Sequence, residues 1–342
     1  MNRKQDGSPE KAKRSAFPAR EIQADVHTSR WIIAVNLFFL IAVVAVALRW
    51  GDWRTLLSAL LHINLFWVAI ALVLQCGTYV CVAFAWHNVL RRLNMPIAMR
   101  SLLPLSLAKL FLDQVVPVFG LGGTALAIRG FLKRGSTDAV AVTVAAVYTL
   151  TELLINVFFL VVAFLILTAD GYINPLFSVS NSLLGLSAGG VLLFAAGYAI
   201  RNTRAVRFIK NLKLVAWLIQ IVYEIPRAEL FDFGLWASVS LALAFVWILD
   251  AATLWALLTA LGVHAPVLKI LACSIVASVV AAAVVIPGGL GLFEGSSIAL
   301  MSLFGIPVEH AIAASVLMRG FTYWLPMIPG FLITRREFIK SK

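Results

Sequence analysis

Charged residues are scarce in this chain: Asp, Glu, Lys and Arg make up 13% of its 342 residues, against 61% hydrophobic residues and a mean hydropathy of +0.95. A soluble domain carries about 25% charged residues, so a water-soluble globular protein is excluded and an integral membrane protein is indicated. Acids are the scarcer sign, 16 against 28 Lys and Arg, which leaves a formal net charge of +12. Cysteine is limited to Cys76, Cys81 and Cys273, an odd number in apolar stretches and without ligand spacing. That excludes a disulfide framework and a thiolate metal site, and the three read as buried small hydrophobes. Catalytic signatures are lacking too. There is no nucleophile elbow, no paired His and Glu of a metal site and no phosphate loop. The glycines near residue 290 have no βαβ context that would make them a dinucleotide fingerprint. No cofactor and no metal are therefore expected. No nucleic-acid motif accompanies the positive charge, which reads as the positive-inside bias of cytoplasmic loops and attraction to anionic headgroups.

What is present is a series of apolar segments. Residues 1–30 are polar and basic and read as a disordered cytoplasmic tail; the apolar core of a signal peptide would lie nearer the start. Residues 31–48 form the first expected span and 64–86 the second, followed by Arg91, Arg92 and Arg100 on the inner side. Residues 101–128 are apolar but carry Lys109, Asp113 and Gln114, with basic residues at both ends. They read as a re-entrant helical hairpin opening to the cytoplasm. Residues 139–168, with Glu152 near the middle, and 183–200 are further spans, and 201–218 read as a basic amphipathic helix on the inner leaflet. Residues 235–261 cross outward with Asp250 inside them. A last span at 308–333 must end inside, beside Arg335, Arg336, Lys340 and Lys342. Parity then makes 268–306 a second hairpin opened from the opposite face. The expected fold is an all-α polytopic membrane protein with about six full spans and two opposed re-entrant hairpins: a transmembrane unit at 31–333 between basic cytoplasmic tails at 1–30 and 334–342.

Each hairpin is interrupted by proline and glycine, at Pro117, Gly120, Gly122 and Gly123 in the first and at Pro287, Gly288, Gly289 and Gly291 in the second. Irregular backbone at membrane depth survives only where protein buries it or where it lines a watery cavity. Both breaks read apolar-Pro, a short gap, then Gly-Leu-Gly, a pattern compatible with the inverted repeats and discontinuous helices of transporters. Intramembrane charges narrow the reading. Lys109 and Asp113 are four apart and share a helix face. Glu152, Asp250, Glu294 and Arg319 each need a partner, because an uncompensated charge at that depth costs about 2.5 kcal/mol or more. Arg319 either pairs with an acid and pins two helices, or joins Lys109 in holding a lipid phosphate while Glu294 or Glu152 sets the local field.

The stretch Pro287-Gly288-Gly289-Leu290-Gly291 with Glu294, then Gly305, Ala311, Ala313, Arg319, Tyr323, Trp324, Leu325, Pro326 and Gly330, resembles the lysylphosphatidylglycerol synthase transmembrane-region family of flippase-like proteins. The resemblance runs from about residue 31 to 333. Members often carry an acid directly after the first set of glycines, where this chain has Thr124. In multidomain members the membrane region resembles a flippase for aminoacylated phosphatidylglycerol, made by a separate soluble domain for which this chain has no room. The resemblance therefore implies translocation of a membrane phospholipid or polyprenyl-linked lipid in a bacterial inner membrane, with both termini cytoplasmic and any lipid-synthesis enzyme encoded separately. Two other classes share the same spans: a component of a lipid-modifying transferase with Glu294 as general base, and a membrane scaffold. Ion coupling would rest on Glu152, Asp250 or Glu294, and Gly and Ala faces would allow a homodimer.

Overall fold

The computed structural model describes residues 61–115, 121–172, 232–283 and 287–339. The spans expected at 31–48 and 183–200, the tail at 1–30, the basic helix at 201–218, Pro117 and Gly120 of the first break, and residues 340–342 lie outside the described residues. Among the described residues every regular element is helical. In chain order these are α1 (Leu65–Arg92), α2 (Met99–Val115), α3 (Leu121–Lys133), α4 (Asp138–Ala169), α5 (Phe233–Ala260), α6 (Val267–Ala283), a 3-10 turn at Pro287–Gly289, α7 (Leu292–Leu303), α8 (Val308–Arg319), a π-helical turn at Gly320–Trp324, and α9 (Leu325–Ile339).

Four helices are long and apolar enough to cross a membrane: α1, α4, α5 and the continuous run Val308–Glu337 from α8 into α9. They correspond to the segments expected at 64–86, 139–168, 235–261 and 308–333. Local chemistry sets their ends. The Asn64 side chain accepts the Phe66 N–H at the start of α1, Thr137 accepts Val140 N–H before α4, and Asp232 accepts Leu235 N–H before α5, each satisfying a donor that a helix leaves open. Arg91 and Arg92 occupy the last turn of α1, where cations favour the helix dipole. The chain then turns at Asn94, a positive-φ residue (φ 55°). With 32 residues and no Gly or Pro, α4 reaches about 48 Å at 1.5 Å per residue.

The shorter helices fold back in pairs. α2 packs on α3 and α6 on α7, and glycine lets each pair close. A Cβ on Gly123 would lie 2.3 Å from Asp113 Oδ1 and 2.6 Å from Lys109 Cγ, and one on Gly130 would lie 2.4 Å from Leu105 Cδ1. These glycines are seven apart, so one face of α3 presents both to α2. The open ends of the pairs point opposite ways along α4. Arg134, just past α3, donates to Ser101 Oγ near the start of α2 (2.8 Å), beside the N-terminus of α4. Lys269, near the start of α6, donates to Tyr172 Oη just past the C-terminus of α4 and lies 5.9 Å from the ring centroid of Phe304, the residue that ends α7.

Each pair has its own apolar core. Trp86, Leu102, Leu105, Phe131 and Tyr148 cluster around α2 and α3, with the Trp86 and Phe131 rings edge to face at 5.3 Å. Leu254, Leu257, Ile270, Phe293, Met301 and Met318 cluster around α6 and α7. Such packing, rather than exclusion from water, holds helices together in lipid. Large apolar side chains such as Leu65, Val73, Phe158, Leu241 and Ile328 are exposed, as a lipid-facing surface requires. The three cysteines are free, but only Cys273 is buried as expected; Cys76 is exposed and Cys81 intermediate. On a lipid-facing helix surface an apolar thiol needs no protein cover.

Candidate functional site

The first charge group joins α2 to α4. Lys109 Nζ donates to Asp113 Oδ2 at 2.7 Å, lies 3.7 Å from Glu152 Oε1 and sits 4.9 Å from the centroid of the Tyr148 ring. The Tyr148 hydroxyl donates to Glu152 Oε1 (3.2 Å), and Asp113 Oδ1 accepts the Gly123 N–H (2.9 Å). Asp113 thus ties the start of α3 to α2 while it neutralises Lys109. One cation faces two carboxylates here. The Lys109 side chain is 5% exposed and that of Glu152 is 39% exposed, so Glu152 is the accessible member of an otherwise enclosed group.

The second group holds the turn between α6 and α7. Gly288, Gly289 and Gly291 all have positive φ (63°, 59° and 82°), a conformation that costs little only for glycine. Gly288 lies against Tyr323, where a Cβ would approach Cε2 to 2.2 Å. Glu294 Oε2 accepts the Gly291 N–H at 2.7 Å and Oε1 accepts from Arg319 Nε at 2.9 Å, while Arg319 Nη2 donates to the Gly289 carbonyl at 3.1 Å. The guanidinium also stacks 4.4 Å from the Phe293 ring centroid, a cation–π contact. Arg319 and Glu294 are both buried. A guanidinium offers five N–H donors, and the bonds described here use its Nε and Nη2.

A backbone irregularity connects the two groups. Pro326 has no N–H to give the Thr322 carbonyl four residues before it. That carbonyl accepts instead from Gln114 Nε2 at 3.0 Å. The same stretch, Gly320–Trp324, is the π-helical turn that follows Arg319; such turns recur at functional sites. α2 also contacts the Pro287–Gly289 turn, so the inner end of one pair meets the inner end of the other.

Lys109, Asp113 and Glu152 are brought together, and so, separately, are Glu294 and Arg319. Among the described residues no ion pair joins the two sets, and Asp250 belongs to neither. Gly122 and Gly123 begin α3, and Pro287, Gly288, Gly289 and Gly291 form the second turn. Sequence reasoning missed Tyr148 and Gln114 as contributors. Tyr148 stands four residues before Glu152 and so shares its helix face, a spacing that could have revealed it. Nothing local marks the bond from Gln114 to residue 322.

The family model described as the lysylphosphatidylglycerol synthase TM region matches residues 32–330. The chain belongs to this family. Relatives include a UPF0104 membrane protein of Methanocaldococcus jannaschii, 24% identical over 327 residues, covering 91% of this chain and 96% of that protein. A UPF0104 membrane protein of Pyrococcus horikoshii is 21% identical over 335 residues, covering 87% and 95%. The region matched to the synthase TM family contains both helix pairs and both charge groups. At the start of α3, beside Thr124, the carboxylate comes from α2, through Asp113 and the Gly123 N–H.

Proposed function

We propose that this lysylphosphatidylglycerol synthase TM-region protein is a flippase-like lipid translocase, with six spans and with α2–α3 and α6–α7 as opposed re-entrant hairpins. It would lie in a cytoplasmic membrane, bacterial by our reading, with both termini inside. The observation that carries the reading is the meeting of two oppositely opened helix pairs at buried cations, each already neutralised by carboxylate. An empty phosphate site in lipid needs such internal counterions, because a bare Lys or Arg there is costly.

A lipid phosphate entering from either side exchanges for a carboxylate. Glu152 is the partner it displaces: it has the longest contact to Lys109, at 3.7 Å against 2.7 Å for Asp113, and the more exposed side chain. Arg319 keeps Glu294 and the Gly289 carbonyl and offers its remaining N–H groups, whose planar fork suits phosphate. Both carboxylate oxygens of Glu294 are engaged, which argues against a general-base role. The cargo class is an anionic phospholipid or a polyprenyl-linked phosphate.

The test is leaflet exchange of fluorescent phosphatidylglycerol and of a polyprenyl phosphate in vesicles holding the purified protein. Lys109→Gln and Arg319→Gln should suppress exchange, whereas Glu152→Gln, which removes a competing charge, should retain or raise it. A folded wild-type protein that moves neither probe would overturn the proposal.

A further inference from the structure

A third polar group lies away from both pairs, in the seam between α1 and α5, which pack against each other. Gln75, Thr78 and Tyr79 share one face of α1 and are buried, 4%, 3% and 6% exposed. Gln75 Nε2 donates to Thr78 Oγ1 (3.2 Å), and Thr78 Oγ1 donates to the Gln75 carbonyl (2.7 Å). Three buried atoms are then left without a hydrogen-bond partner: Gln75 Oε1, Tyr79 Oη and Asp250 Oδ1. The Gln75 side chain stands beside both the Asp250 carboxyl and the Tyr79 hydroxyl. The titratable groups of α1 around the seam are Tyr79, Cys76 and Cys81. α4, α6 and α8 also pack against α5, and no charged group of theirs among the described residues acts on Asp250. Glu152 and Arg319 are committed to their own partners.

Charge accounting shows what the seam lacks. With Asp250 ionised, the donors left to face it are neutral, the second Gln75 Nε2 N–H and the Tyr79 O–H, and no cation among the described residues offsets its charge. A protonated Asp250 removes that uncompensated buried charge and adds a donor to the seam. Its O–H serves Gln75 Oε1, and the Tyr79 O–H then serves the Asp250 carbonyl oxygen. A metal ion fits less well, since α1 and α5 run as continuous helices whose carbonyls are engaged, whereas membrane sodium sites draw on unwound backbone.

We propose that Asp250, with Gln75 and Tyr79, is a proton-binding site in the α1–α5 seam, and that its protonation couples a proton gradient to lipid movement. The coupling clause rests on the translocase reading; the binding site does not. Glu152 and Glu294 are held by cations, so of the three carboxyls that could couple to an ion, Asp250 is the one whose charge no group among the described residues offsets.

The test is difference infrared spectroscopy of the full chain in vesicles between mildly acidic and mildly alkaline pH. Wild type should show a protonated-carboxyl carbonyl band that is missing in Asp250→Asn and restored, at a shifted position, in Asp250→Glu. Identical wild-type and Asp250→Asn spectra would overturn the site, whether or not lipid moves. Leaflet exchange under an imposed proton gradient is the second arm. Wild type should respond severalfold and Asp250→Asn should not; a variant that lacks the band yet responds equally would overturn the coupling and leave the site standing.

Discussion

At the residue scale, the second break depends on glycine in a way that a pair of alanine substitutions can expose. Gly289 has φ 59°, and a Cβ there would meet the Ala281 Cβ at 2.5 Å and its carbonyl oxygen at 2.8 Å. The left-handed conformation alone costs a side chain about 1–2 kcal/mol, and the backbone oxygen cannot rotate away. Gly295, six residues on within α7, has nothing within 4 Å of such a Cβ, and alanine in a helix is favoured over glycine by roughly 0.5–1 kcal/mol. Gly289→Ala should therefore lower the melting temperature in detergent and Gly295→Ala should hold or raise it; equal effects would mean that the turn is not held as described. The sequence made some of this legible. The four-residue spacing of Lys109 and Asp113 announces a shared face, and the ion pair follows. Glu294 and Arg319 could be read only as charges in want of partners, since they lie 25 residues apart and only the tertiary fold joins them.

At the scale of the element, hydropathy located the four long helices because an apolar run of that length has few other uses. The π-helical turn at Gly320–Trp324 was not readable, since its stability draws on Gln114 from α2. That bond yields a double-mutant cycle. Gln114→Leu leaves the Thr322 carbonyl without its side-chain donor, at a cost of about 1–3 kcal/mol. Pro326→Ala returns a backbone N–H to that carbonyl, so in the Pro326→Ala background Gln114→Leu should cost markedly less. Additive losses in the thermal unfolding of the four proteins would refute the link. A second case concerns the start of α5. There Asp232 is held below the ordinary carboxylate range, chiefly by the Leu235 N–H, against an opposing desolvation, and with help from Arg92. A carboxyl depressed on folding contributes stability that is present above its unfolded value, about 3.9, and is lost as pH falls through its lower folded value. Asp232→Asn keeps a cap but not the charge. Its deficit relative to wild type should be present near neutral pH and vanish in strong acid; a deficit independent of pH would assign the effect to the cap alone.

At the scale of the whole molecule, the argument turns on direction. α2–α3 opens beside the N-terminus of α4 and α6–α7 beside its C-terminus, and the polar tips meet between them. Charge parity along the sequence pointed to this opposition. It could not show that α2 touches the second turn, the contact that brings the inner ends of the two pairs together. Sidedness follows in a form that can be measured. In a protein with Cys76, Cys81 and Cys273 replaced by Ala, single cysteines at Arg100 and Thr137, both exposed at the open end of α2–α3, should react with a membrane-impermeant maleimide from one face of sealed vesicles. Cysteines at His264 and Val308, exposed at the open end of α6–α7, should react only from the other. Reaction of all four from a single face would remove the opposed geometry, and with it the reason to expect that a headgroup entering from one side can be handed to the other. The same labelling pattern in a Lys109→Gln background that has lost exchange would tie that loss to a site reached from both leaflets rather than to a fault in folding, because the sidedness pattern itself requires the native arrangement of the spans.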